Sequence, residues 1–187
     1  DIILWDYVLE NGGAKICDGD STLAMLNSTS GSLVIPSTID GYPVTAIGDN
    51  AFSFFNNLTS VIIPDTVTSI GAEAFYGCSG ITNLFIPNSV KSIGSRAFSS
   101  CSSLTTLIAG QYVCANRISN IFPDAYRTIK NIEILDGVTT IGNYAFQNCS
   151  SLTNITIPNS VTSIENYAFS DCGLTNATFL GNAPEAG

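Results

Sequence analysis

The stretch Leu58-Thr-Ser-Val-Ile-Ile-Pro-Asp-Thr-Val-Thr-Ser-Ile-Gly-Ala-Glu-Ala-Phe-Tyr-Gly-Cys-Ser-Gly80 is followed at once by Ile81-Thr-Asn-Leu-Phe-Ile-Pro-Asn-Ser-Val-Lys-Ser-Ile-Gly-Ser-Arg-Ala-Phe-Ser-Ser-Cys-Ser-Ser103. The two copies set a period of 23 residues. Further units begin at Leu104, Ile129, Leu152 and Leu174, so the spacings from Leu58 run 23, 23, 25, 23 and 22. Upstream, Leu33 to Asn57 makes a longer first unit that carries the insertion Asp40-Gly41-Tyr42-Pro43. A constant period of this length marks an array of stacked repeats, because one such unit cannot bury its apolar residues alone.

Each unit has the same internal grammar. Leu58, Val61 and Ile63 are spaced for a short strand with alternate side chains inward, and Pro64 ends it because proline cannot donate a ladder hydrogen bond. Val67 and Ile70 form a second apolar pair, followed by Gly71 and the small-large pair Ala74-Phe75, which predicts a turn and then a short helical segment against the core. The expected fold is an α/β solenoid, a right-handed repeat of short parallel strands with short helical or 3-10 segments. With strands about 4.8 Å apart, about seven turns make a rod on the order of 30 Å long.

The motif L-x-x-V-x-I-P-x-x-V-x-x-I-G-x-x-A-F-x-x-C closely resembles the BspA-like class of leucine-rich repeats. Pro36, Pro64, Pro87 and Pro158, with the Ala-Phe pairs at Ala51, Ala74, Ala97, Ala145 and Ala168, separate it from ordinary leucine-rich repeats, which place Asn after the strand. The resemblance implies a surface-exposed or secreted protein of a host-associated bacterium or a parasitic protist, in a family associated with adhesion to host matrix proteins and to other cells. It names no ligand for this chain.

The chain reads as one domain over residues 1–187, with an N-terminal cap over 1–30 and repeats over 31–187, the last incomplete. Open solenoids expose edge strands that invite aggregation. Trp5-Asp-Tyr-Val-Leu-Glu and Ala14-Lys-Ile-Cys flank Asn11-Gly12-Gly13, a hairpin signal that would cap the first turn, with Trp5 or Tyr7 over the core. From Leu174 the final unit stops before any Ala-Phe pair, which suggests a chain continuing beyond Gly187 or an edge covered by a partner.

Composition agrees with a folded domain: 45% of residues are hydrophobic and 11% charged. Fifteen acids against six bases give a formal charge of -9, spread without long runs, which argues against nucleic acid as a partner. No apolar stretch approaches the roughly 20 residues of a membrane helix. Low charge, with Ser, Thr and Asn supplying the polarity, leans toward an extracellular or cell-surface protein. Asp1 to Trp5 lacks a signal-peptide pattern, so an exported chain would have lost its leader.

Catalysis is not expected. There is no histidine, so no Ser-His or Cys-His nucleophile can be assembled, and Glu73, Glu133, Asp136 and Glu165 fall at different repeat positions. No cofactor or metal is expected either. Cys78, Cys101, Cys149 and Cys172 share one repeat position and would stack in two adjacent pairs, close enough for disulfides by distance. Parallel inward side chains favour buried thiols instead, and thiolates one repeat apart do not converge tetrahedrally on zinc. Cys17 and Cys114 lie outside that register, and their pairing is open.

Two surfaces are candidates for binding. The outward strand position occupied by Ile62 recurs as Val34, Phe85, Ile108, Glu133, Thr156 and Thr178, so Val34, Ile62, Phe85 and Ile108 would form an apolar stripe beside Ser32, Ser60, Asn83 and Thr106. Such a stripe marks a protein-partner site or else reflects the strand preference for branched and aromatic residues. The irregular unit from Ile108 to Thr128 breaks the consensus and loses both its Pro and its Ala-Phe. It brings Arg117 and Arg127 beside Tyr112 and Tyr126, a patch for an acidic loop or a sulfated glycan, or a drifted repeat with solvated bases. The leading reading is an adhesin-like, non-catalytic protein-binding module for a host matrix or surface protein, and the alternatives are a passive spacer or a glycan-binding module.

Overall fold

The computed structural model describes residues 5–17 and 31–181, and the backbone of 185–186. Residues 1–4 and 18–30 of the expected cap, and 182–184 and 187 of the last unit, lie outside the described residues.

The strand that opens each unit joins one seven-stranded parallel sheet. In chain order these are β3 (Gly31–Val34), β6 (Leu58–Ile62), β8 (Asn83–Ile86), β10 (Thr106–Ala109), β11 (Asn131–Ile134), β13 (Asn154–Ile157) and β15 (Asn176–Phe179). Seven rungs enclose six turns of a parallel β-solenoid, one fewer than the period suggests. Pairing is register-true from turn to turn, with Val61 opposite Leu84, Leu84 opposite Leu107 and Leu107 opposite Ile132. These alternate side chains point inward, and all four are at most 4% exposed.

The second apolar pair of each unit makes a narrower ladder on another side of the coil. It runs through β5 (Tyr42–Ile47), β7 (Ser69–Ile70) and β9 (Ser92–Ile93), then resumes as β12 (Thr140–Ile141), β14 (Ser163–Ile164) and β16 (Glu185–Ala186). At its first edge β1 (Tyr7–Glu10) and β2 (Gly13–Ile16) form an antiparallel hairpin, and β2 runs parallel to β5. Asn11 and Gly12 both have positive φ (51° and 82°), the backbone that a two-residue hairpin turn requires. Trp5 meets Phe52 edge-on at 6.3 Å between ring centroids. The insertion in the first unit is a second tight hairpin, with β4 (Thr38–Ile39) antiparallel to β5.

The Ala-Phe segments are not helical. The residue before each Ala (Asn50, Glu73, Arg96, Tyr144, Tyr167) and the residue two after each Phe (Phe54, Gly77, Ser100, Asn148, Asp171) are left-handed, with φ between 55° and 73°. An α-helix cannot run through such residues. Where a regular unit follows, alternate N–H groups of the segment bond to the next turn instead: Glu73 N–H to Ser95 O, Phe75 N–H to Ala97 O and Gly77 N–H to Ser99 O. The corner is therefore a third ladder of turns, and among the described residues helix is confined to α1 (Gln111–Ala115) and α2 (Ile118–Ile121) of the irregular unit. That unit has no left-handed residue between Ser100 and Gly137.

A column of phenylalanines fills the centre. Phe52, Phe75 and Phe98 stack nearly parallel at 5.0 and 5.3 Å, and Phe146 stacks on Phe169 at 5.5 Å. The irregular unit has lost its Ala-Phe pair in sequence but keeps the ring: after the helical detour Phe122 reaches the column, fully buried and 5.1 Å from Phe98.

Candidate functional site

The outward strand positions form one unbroken row in register: Val34 against Ile62, Ile62 against Phe85, Phe85 against Ile108, then Glu133, Thr156 and Thr178. Val34 is 59% and Ile62 41% exposed, while Phe85 and Ile108 are half-buried. The parallel row beside it is polar, running Ser32, Ser60, Asn83, Thr106, Asn131, Asn154 and Asn176. Between the two rows lies a shallow groove of about 200 Å³, walled by Ile62, Phe85 and Ile108 on one side and Ser60, Asn83 and Thr106 on the other.

The sheet face is thus divided. Its first four rungs are apolar, and from Glu133 onward it is polar, with Asn176 Nδ2 donating to Asn154 Oδ1 at 3.0 Å. Glu133 is exposed, and among the described residues it has no ion-pair partner; the two pairs there are Lys15–Glu10 and Arg96–Glu73.

In the irregular unit each arginine lies over a tyrosine ring. Arg117 is exposed and stacks over Tyr144 at 4.6 Å, whereas Arg127 stacks over its neighbour Tyr126 at 5.3 Å. Tyr112 and Tyr126 are half-buried against the core. In the sequence, Tyr144 stands out only by occupying a position held by Glu73 and Arg96 in other units, so its pairing with Arg117 was hidden.

What the irregular unit does visibly is mend a gap. It supplies no strand between β9 and β12, and the side chain of Gln111 takes that place: Oε1 accepts from Thr139 N–H at 2.7 Å and Nε2 donates to Thr140 O at 3.0 Å. Asn88 Oδ1 in turn accepts from Gln111 N–H at 2.9 Å, and Asn88 Nδ2 donates to Asp136 O at 2.7 Å.

All six cysteines are free thiols. Cys78, Cys101 and Cys172 each donate to the carbonyl of the phenylalanine one turn earlier, Phe52, Phe75 and Phe146. Burial pushes the thiols of Cys78 and Cys114 up to about 12. The hydrogen bond with Cys172, reinforced by burial, also holds Cys149 protonated. Cys78, Cys101, Cys114 and Cys149 are thus buried packing groups held as thiols, while the hydrogen bond from Cys149 lowers the pKa of the half-buried Cys172. Among the described residues no cluster of Cys, Asp and Glu could hold a metal ion, and no helix is long and apolar enough to cross a membrane.

A coil of parallel rungs with a conserved-register outer face defines the class as a leucine-rich-repeat solenoid. The family model for the BspA type leucine rich repeat region matches residues 27–125 and 118–186, with six copies, and this chain belongs to that family. It is similar to a T. pallidum leucine rich repeat protein of known structure, with 27% identity and a TM-score of 0.62 over 97% of this chain and 80% of that one. It also resembles a leucine rich cell surface protein of Faecalibacterium prausnitzii A2-165 (30% identity, TM-score 0.53, 93% of this chain) and spans 48% of that protein's chain. A leucine-rich repeat protein of Eubacterium ventriosum shares the fold at 24% identity and TM-score 0.51, over 78% of this chain and 44% of that one. No curated protein matches significantly.

Proposed function

We propose that the chain, acting as one domain over residues 1–187, is a non-catalytic extracellular protein-binding module, adhesin-like, that engages a host matrix or surface protein with its exposed sheet face. The observation that carries this reading is the solvent-facing apolar row Val34, Ile62, Phe85 and Ile108 beside a groove: burying such a row against a partner is favourable, and leaving it in water is not. The F. prausnitzii relative, described as a cell surface protein, supports the setting.

The test is capture of host matrix and cell-surface proteins by the wild-type chain and by Phe85→Ser/Ile108→Ser in parallel. Capture by the wild type and loss in the variant is the expected result. Equal capture by both would remove the sheet face from the reading, and capture by neither would leave a passive spacer.

The exposed guanidinium groups of Arg117 and Arg127, each held over a tyrosine, favour a second reading, glycan binding through the irregular unit 108–128 with Tyr112 and Tyr126. Binding of heparin-like glycan that disappears in Arg117→Ala/Arg127→Ala and survives Phe85→Ser/Ile108→Ser would select it.

A further inference from the structure

The spacing of the apolar row restricts what can lie on it. Rungs of a parallel sheet are about 4.8 Å apart, so Val34, Ile62, Phe85 and Ile108 span about 14 Å along the solenoid axis. An extended strand laid along that axis presents same-face side chains every 6.7 Å or so, and falls out of step by about 2 Å at each contact. A helix laid there rises 1.5 Å per residue, so the four residues i, i+3, i+7 and i+10 cover about 15 Å in three steps that track the three spacings between the four rungs. Over the rungs of Ile62, Phe85 and Ile108 the groove offers an apolar side to the helix's apolar stripe and the Ser60, Asn83 and Thr106 side to its polar flank.

Charge sets the end of the row. One rung beyond Ile108 stands Glu133, exposed and in register with it, on a protein of formal charge -9. A side chain placed one helical step past the apolar stripe meets this carboxylate. A lysine or arginine there gains a pair, and a carboxylate is repelled.

We propose that the partner element is an amphipathic helix lying along the solenoid axis, with apolar residues at i, i+3, i+7 and i+10 on the row Val34, Ile62, Phe85 and Ile108 and a basic residue one step further at Glu133. This rests on the sheet face being the binding surface. It adds the conformation and the charge of what binds there.

The experiment uses three synthetic peptides of about 18 residues and equal composition, titrated against the full chain by fluorescence anisotropy. The first carries leucines in the i, i+3, i+7, i+10 pattern with a lysine one step beyond each end, so that either helix direction is served. The second replaces those lysines by glutamates and balances the charge elsewhere. The third alternates leucine with polar residues in the strand pattern. The first should bind and become helical by circular dichroism, with Phe85→Ser weakening it at least tenfold. Glu133→Gln should weaken it about two- to fivefold at low salt, and leave the glutamate peptide unweakened. Tighter binding of the strand-patterned peptide, indifference to Glu133→Gln, or no binding of the first peptide overturns the inference. If host-protein capture is still lost in Phe85→Ser/Ile108→Ser under any of those results, the sheet-face reading stands and only the helical partner falls.

Discussion

The ring of Phe122 packs 5.1 Å from that of Phe98, tilted by 37°, although Phe122 has no alanine before it and lies 24 residues on rather than 23. The fold extends its central column into a unit that has abandoned the repeat's spelling. Phe122→Ala should therefore cost about 3 to 5 kcal/mol, as much as Phe75→Ala or Phe98→Ala, since each removes a fully buried ring from a continuous stack. Urea unfolding followed by circular dichroism checks this, and a loss under about 1 kcal/mol for Phe122 alone would show the detour to be outside the cooperative core.

Gln111 is the second point at which the irregular unit holds the array together. Gln111→Ala leaves Thr139 N–H and Thr140 O without their side-chain partners, at a cost of about 1 to 3 kcal/mol. The Thr139 amide should exchange with solvent faster, while amides of β6 and β8 keep their protection. Uniform loss of protection along the chain would mean that Gln111 serves the whole array.

Backbone geometry predicts opposite signs at two small residues. A methyl group at Gly71 would sit 2.5 Å from the Asp49 amide nitrogen of the turn beneath, so Gly71→Ala should destabilise by about 3 kcal/mol. Ser100 is left-handed at φ 62°, where a side chain is strained, and its N–H donation to Asp124 Oδ2 at 2.6 Å needs no side chain. Ser100→Gly should stabilise by about 0.5 kcal/mol, the relief of strain exceeding the added freedom of the unfolded chain. Differential scanning calorimetry reads both.

Buried thiols make stability depend on alkaline pH. Cys78 and Cys114 ionise near 9 when unfolded and at about 12 when folded, because burial disfavours the thiolate. The folded chain then holds protons that the unfolded chain releases. This contribution is fully present below pH 9 and falls by about 1.4 kcal/mol per pH unit for each thiol as pH rises toward 12. Cys78→Ala/Cys114→Ala should be less stable than the parent at pH 7 and show a shallower decline above pH 9. Parallel declines would show that these two thiols do not set the alkaline sensitivity.

Period, strand register and the identity of the inward and outward rows were legible in the sequence, because each unit repeats the same spacing and a parallel ladder places residues of equal position side by side. Leu58, Val61 and Ile63 on the inside and Val34, Ile62, Phe85 and Ile108 on the outside follow from that alone. Local spacing could not tell a helical Ala-Phe segment from a turn. The choice depends on where Glu73, Phe75 and Gly77 send their N–H groups, and the next turn of the coil offers carbonyls that no single unit contains. Phe122 in the column, Gln111 in place of a strand and Arg117 over Tyr144 belong to the same category. Each is a contact between turns at positions where the repeat has broken, so only the stacked structure, with every neighbouring turn in place, decides them.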